Sequence, residues 1–359
     1  MRQVRHHLSP AAFAAVLFAL SWGALPGSLV AQWPPLTMPE ASPAASVSQT
    51  VGVTEIEIDY SRPQVKGRTV WGDLVPYDQV WRAGANTNTR ITVSTPVEVA
   101  GKALAAGTYG LHMIPTTEEW TVIFSRDAER WGSFGYDDKA DALRIGVIPT
   151  AGPLTEMLSY SFEQVTGDSA EIVLNWEKLR IGIPVKVDTK SSTVAALRRD
   201  LTGLPQFFWQ PWNAAANYCI NNEVNLEEAA AWVERSLGMN SNFINNKTKS
   251  KLLRLQGDAA GADAVLASAL GSATEQEMNQ HGYELLGEGK ADEAIAVFRR
   301  IVKDHPQSWN AQDSLGEGLA AAGTTAEAVA AYKKALAMAP EIQRSRIEGV
   351  LARLAARKP

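Results

Sequence analysis

The sequence predicts a multidomain α+β protein, with an N-terminal antiparallel β-sandwich or barrel-like domain followed by an all-α array of helical hairpins. Three observations predict it. From Val51 to about Val187 apolar residues alternate with period two, and turn residues separate the alternating runs. From about Ser192 the period becomes helical and the composition alanine-rich. Two C-terminal segments then superimpose at a fixed spacing of 34 residues. A chain of 359 residues has room for two domains.

The first 31 residues read as a secretory signal. Arg2, Arg5, His6 and His7 precede the 15-residue apolar run "AAFAAVLFALSWGAL", and "SLVAQ" offers cleavage after Ala31. The run is shorter than the roughly 20 residues of a spanning helix, so no membrane span is expected after signal removal. The expected location is therefore exported, periplasmic or extracellular. Export permits disulfides, but Cys219 is the one cysteine, in "AAANYCINN", where it reads as a small buried hydrophobe. Formal charge is −5, and no basic run occurs, which argues against nucleic acid as a partner. Residues 32–49, with four prolines among small residues, read as an extended linker.

The β domain is expected over residues 50–190. In "TEIEIDY" Ile56, Ile58 and Tyr60 share one face, and Glu55, Glu57 and Asp59 the other. "TYGLHMI", "LRIGV", "LSYSF" and "AEIVLNW" alternate in the same way, with turns at Gly101, Gly107 and Gly167. Short strands without intervening helices argue for an antiparallel sandwich or barrel. Trp71, Trp81, Trp120, Trp131 and Trp176 offer large apolar area for its core.

Helical repeats are expected over residues 192–359, clearest at 275–308 and 309–341. Gly282, Gly289, Ala294, Phe298 and Pro306 align with Gly316, Gly323, Ala328, Tyr332 and Pro340. Small residues where helices cross, an aromatic on the second helix and a closing proline resemble the tetratricopeptide repeat. His281 departs from the pattern, standing where the second repeat has Leu315. "NLEEAAAWVERSL" and "GDAAGADAVLASAL" echo the second-helix half, with Ala229 and Ala262 at close-packing positions. Four hairpins and a terminal capping helix follow. Stacked hairpins present an extended surface, which points to a protein or peptide partner. Between the domains, "LTGLPQFFWQPW" is expected to seal the sheet against the first hairpin, burying Phe207, Phe208, Trp209 and Trp212.

"SRPQVKGRTVWGDLVPYDQVWRAGANTNTRITVS", "GKALAAGTYGLHMIP" and "EWTVIFS" resemble the bacterial domain of unknown function 2911 family over about residues 45–188. The resemblance implies an exported bacterial protein and supplies no activity. Thr87-Asn88 stands where relatives often carry Glu-Ala. The residues themselves leave two readings of Trp81, Arg82, Asn86 and Asn88. In one, Trp81 plugs the sandwich end, Arg82 ties down a loop and Asn86 caps a turn. In the other, they line a polar pocket for a small ligand or glycan, Arg82 offering a planar fork of donors.

Other chemistry is sparse. His112 lies on the strand face opposite Tyr109, Leu111 and Met113, and could serve as a general base or a ligand-binding residue. Asp137, Asp138 and Asp141 in "GYDDKADALR" are weak candidates for a cation, lacking the spacing of a calcium loop. No phosphate loop, nucleophile elbow or metalloprotease helix occurs. No cofactor and no catalytic residue is assigned. The favoured function is a non-enzymatic exported scaffold, against small-ligand binding by the β domain or a carboxylate-dependent hydrolase. That last reading requires His112 and the aspartates to converge on one cleft with Arg82.

Overall fold

The computed structural model describes residues 38–356. The signal expected over 1–31 and the first part of the proline-rich stretch lie outside the described residues. Residues 42 onward form one unit, with strands to Val187 and helices from Thr189.

Two antiparallel sheets make the β domain. The larger contains β1 (Ala44–Val51), β2 (Thr54–Ser61), β3 (Thr89–Val93), β6 (Gly107–Ile114), β7 (Trp120–Ser125) and β8 (Asp141–Val147), in that spatial order. The smaller runs β5 (Lys102–Leu104), β4 (Val97–Val99), β10 (Ser169–Val187) and β9 (Thr150–Glu163). Alternation decides the inner face: Ile56 and Ile58 are fully buried, as are Leu111, Met113, Ile172 and Leu174. Each such side chain contributes on the order of 1.5–3 kcal/mol. β10 extends to 19 residues through register shifts around Glu177, whose φ is 55°. Bulges let one long strand bend to serve the sandwich along its whole length.

One end of the sandwich is plugged by tryptophans. Trp71 meets Trp81, Trp120 and Trp176 edge-on at 5.8, 4.8 and 5.5 Å, and Trp81 stacks on Trp176 at 5.8 Å. Trp131 does not join them: it is 65% exposed on the loop after β7. A period-two pattern applies only within strands, and Trp131 lies outside one.

β1 corrects the linker expectation, since residues 44–49 pair with β2 throughout. The segment "AASVSQTV" has a weak apolar signal because it is an edge strand: Ala45 and Val47 are only partly buried against the core, Val51 alone is fully buried, and backbone hydrogen bonds to β2 supply the rest.

Helix α1 (Thr189–Asp200) follows β10 directly, capped by the Asp188 side chain on the Ser191 N–H. A division at residue 192 would cut this helix. Four hairpins follow: α2 (Trp209–Asn221) with α3 (Leu226–Met239), α4 (Phe243–Leu255) with α5 (Ala259–Leu270), α6 (Glu275–Gly287) with α7 (Ala291–Asp304), and α8 (Trp309–Ala321) with α9 (Thr325–Met338). α10 (Glu341–Ala356) packs on α9.

The junction differs from expectation. Leu204, Phe207 and Phe208 are 73%, 68% and 53% exposed, and the segment folds back on α1 and α2. Prolines and the carbonyl bond Trp212 Nε1–Gln206 O (3.0 Å) hold it there as a 3-10 turn, so its rings are not drawn to the sheet. The link to the sheet is made instead by α1. Thr189 Oγ1 donates to Gly167 O (2.8 Å), Thr189 lies against Gly52 of the β1–β2 turn, and Ser192 Oγ meets Thr95 Oγ1 (3.4 Å).

Within the repeats, Gly282 and Gly316 let the aromatic rings of Phe298 and Tyr332 lie on their backbones. Gly289 and Gly323 turn between helices at φ 76° and 80°, in the left-handed region that favours glycine. Ala294 and Ala328 are fully buried, as are Ala229 and Ala262 in the earlier hairpins. Pro306 precedes α8 and Pro340 precedes α10, each ending a second helix. His281 packs on Phe243 of α4 with ring centroids 5.8 Å apart, so the residue that breaks the repeat pattern serves the joint between second and third hairpins. Cys219 is fully buried on α2 and burial pushes its thiol pKa up, as suits a small hydrophobe.

Candidate functional site

The "WRAGANTN" stretch divides between two tasks. Trp81 pairs with Met113 of β6 through two backbone hydrogen bonds of 2.8 Å, and its indole donates to Gly84 O (3.1 Å). Its ring belongs to the tryptophan plug. Asn86, at φ 59°, donates to Ser42 O (3.1 Å) and Ser61 Oγ (3.4 Å), anchoring the start of β1. These two residues are structural.

Arg82 and Asn88 turn to the outer face of the larger sheet, beside His112. Asn88 Nδ2 and His112 Nε2 both border Gly110, where a Cβ would lie 3.3 and 3.2 Å from them. Gly110 therefore leaves the space in which the two side chains meet. A segment spanning residues 126–140 covers them. Asn88 Nδ2 donates to Asp127 O (3.3 Å), the Asn88 N–H to Arg130 O (3.1 Å), and His112 Nδ1 shares a hydrogen bond of 3.1 Å with Ser133 Oγ. Gly132, at φ 66°, lies over the Arg82 guanidinium, its missing Cβ 2.5 Å from Nη1. Tyr136 meets the His112 ring edge-on at 5.4 Å and donates to Asp141 Oδ2 (2.6 Å), which also accepts from Arg144 Nε (2.5 Å).

Arg82 is the exception among eight arginines between residues 42 and 187. The other seven donate to acids or carbonyl oxygens. Arg82 has no hydrogen-bond partner among the described residues, and its Nε is sealed from solvent. Burial accordingly pulls its pKa down. Asn88, 5% exposed, leaves Oδ1 without a donor, and Asp141 Oδ1 is also unmet. Asn88 also lines a polar groove of about 550 Å³, with Ser46, Asp59, Ser61, Arg90 and Glu129. Arg90 bridges Asp59 and Glu129 there at 3.1 and 3.2 Å.

His112 is 2% exposed, and burial lowers its pKa to about 4 despite the opposing fields of Asp141 and Asp127. It is neutral near pH 7. A histidine whose folded pKa lies below its unfolded value of 6.5 stabilises the fold above pH 6.5, and that contribution is lost as pH falls towards 4. The loss is on the order of 3 kcal/mol. His112→Gln should therefore flatten the fall in urea-unfolding stability between pH 6.5 and 4; an unchanged slope would contradict the buried neutral ring.

Sequence reading found Arg82, Asn88 and His112 without the reason they belong together. It missed Ser133 and Tyr136, although the glycines in "WGSFGYDD" signal a close-packed turn. The three aspartates do not gather. Asp137 and Asp138 are exposed, with Asp137 Oδ1 accepting the Lys139 N–H, and only Asp141 reaches the cluster. Among the described residues no set of three acidic, histidine or cysteine side chains is grouped to hold a metal. Asp141 Oδ2 is committed to Tyr136 and Arg144.

The chain thus joins an antiparallel β-sandwich, carrying a polar cluster on its outer face, to an array of stacked helical hairpins. Residues 42–185 match the family described as Protein of unknown function (DUF2911), and residues 279–341, C-terminal to them, match a family described as Tetratricopeptide repeat. No curated protein matches the chain. Similar solved structures include MamA, at 16% identity over 44% of this chain and 85% of that one, TM-score 0.28. PilF of Pseudomonas aeruginosa shows 16% identity over 41% and 67%, TM-score 0.28. YrrB, titled a TPR protein with an unusual peptide-binding site, shows 18% over 46% and 87%, TM-score 0.27.

Proposed function

We propose that the protein is exported and acts as a non-enzymatic scaffold, its hairpin array holding a protein or peptide partner. One observation carries this reading. Every buried polar side-chain atom left without a partner in the described helices lies on a first helix of a hairpin: Oδ1 of Asn213 and Asn217 on α2, Asn279 Oδ1 and His281 Nδ1 on α6, and Asp313 Oδ1 on α8. First helices pack on one another, α2 on α4 and α6 on α8. Unmet amide acceptors are matched by backbone N–H groups of an extended chain. No helix among the described residues is long and apolar enough to cross a membrane.

The test uses the full chain. Expressed in a bacterial host, the secreted protein should begin at Gln32 by N-terminal mass spectrometry. As bait in envelope extract, it should retain a partner that the Asn217→Arg, Asn279→Arg double variant loses. A cytoplasmic, unprocessed product would refute export. Equal recovery by bait and variant, or repeated recovery of nothing, would refute the first-helix face as the binding surface.

A second reading concerns the β domain, which would bind a small ligand on its outer face. The unmatched Arg82, and the unmatched Asn88 that lines the polar groove, favour it.

A further inference from the structure

We infer that Arg82, Asn88 and His112, with residues 126–140 as a lid, form a binding site for a small oxyanion that also carries a hydroxyl, such as a hydroxy acid or a uronic acid. The inference rests on the small-ligand reading of the β domain and names its chemistry.

Charge selects the anion. Arg82 is a guanidinium with a sealed Nε and no hydrogen-bond or ion-pair partner among the described residues, while every other arginine of the domain is matched. An unpaired, partly desolvated cation is costly, and a carboxylate or phosphate recovers that cost through charge-assisted hydrogen bonds. Gly132 lies against Nη1, where a Cβ would come within 2.5 Å, so the closed segment covers the guanidinium and its opening uncovers it. The hydroxyl is selected by Asn88. Its Nδ2 is already donating to Asp127 O, so the unmet atom is the Oδ1 acceptor, which requires a donor. An anion without a hydroxyl, such as sulfate, meets Arg82 only; a hydroxylated one meets both. His112, neutral and held by Ser133, adds no second charge and leaves Nε2 facing the Gly110 gap beside Asn88.

Residues 126–140 have the composition of a lid. Their links to the sheet are polar: Asp127 O and Arg130 O to Asn88, Ser133 to His112, Glu129 to Arg90. Their two large apolar rings, Trp131 and Phe134, are 65% and 88% exposed. A segment that buries few apolar groups opens at low free-energy cost. Opening frees Asn88 Oδ1 and Arg82 Nε, and closure over a ligand sets Trp131 and Phe134 at its rim, where a sugar face or aliphatic body gains apolar contact.

Isothermal titration of the full chain with D-glucuronate, inorganic sulfate and glucose tests this, together with hydrogen exchange across 126–140. Glucuronate should bind more tightly than sulfate, glucose should not bind measurably, and bound glucuronate should slow exchange of the 126–140 amides. Arg82→Gln should weaken glucuronate by about tenfold to a hundredfold, with Arg82→Lys intermediate. Sulfate equal to glucuronate would remove the hydroxyl requirement and overturn the assignment of Asn88. Glucose binding without glucuronate binding would overturn the anion and leave the small-ligand reading standing. Binding by none of the three would sink both. Should Arg82→Gln fail to fold, the exchange map of the unaltered protein decides: protection elsewhere than 126–140 refutes the site.

Discussion

Replacing Trp176 by alanine is expected to destabilise the β domain by about 3–5 kcal/mol. The indole is 1% exposed and meets both Trp71 and Trp81, at 5.5 and 5.8 Å, so its removal empties the centre of the tryptophan plug. Trp120, which meets Trp71 at 4.8 Å, is held in β7. Urea unfolding followed by tryptophan fluorescence measures the change. The informative contrast is Arg82→Gln, which removes an unmatched cation and should leave the midpoint unchanged or raise it. If Arg82→Gln cost as much as Trp176→Ala, Arg82 would be a structural residue and the anion site would lose its foundation.

The second large effect lies in the repeats. Phe298→Ala should cost about 3–5 kcal/mol, because the ring is fully buried between Gly282 and Gly318 of the flanking first helices. The reciprocal change reverses an ordinary trend. Alanine normally stabilises a helix by about 1 kcal/mol relative to glycine, yet at Gly282 a Cβ would lie 2.6 Å from Phe298 Cζ. Gly282→Ala should therefore destabilise by about 1–3 kcal/mol through overpacking. Gly287, on the same helix with nothing within 4 Å of its would-be Cβ, is the control and should gain stability. Thermal melts of the three variants check the ordering. Gly282→Ala more stable than the parent would mean the helix crossing is looser than the contact distance implies.

The repeats were legible because each uses the same few contacts at the same spacing. Gly282 needs Phe298 sixteen residues on, and Gly316 needs Tyr332 at the same interval; a local contact repeated in sequence leaves a local record. The strands with a strong inner face were legible for a related reason, since Ile56, Ile58 and Tyr60 are buried by their own alternation. β1 was not, because its inward positions, Ala45, Val47, Gln49 and Val51, make a weak stripe of small and polar residues, and main-chain pairing with β2 supplies much of its stability. The exposed Phe207 and Phe208 misled in the opposite sense. Hydrophobicity argues that a ring gains by burial, but the 3-10 turn that carries these two directs them to solvent.

The candidate site shows where sequence information ends. The sequence alone determined that Trp81, Arg82, Asn86 and Asn88 stand together at the start of a strand, that His112 faces away from the Leu111 and Met113 side, and that a 34-residue period builds the C-terminal array. Only the tertiary structure decided that Trp81 turns to Trp176 and Asn86 to Ser42, while Arg82 and Asn88 turn to the segment around Asp127 and Gly132. Periodicity assigns faces within a strand, where each side chain's direction follows from its neighbour's. Residues 82–88 lie in a loop with Ala83 and Asn86 at positive φ, and there direction is decided by partners some forty or more residues away, whose arrival no local pattern records.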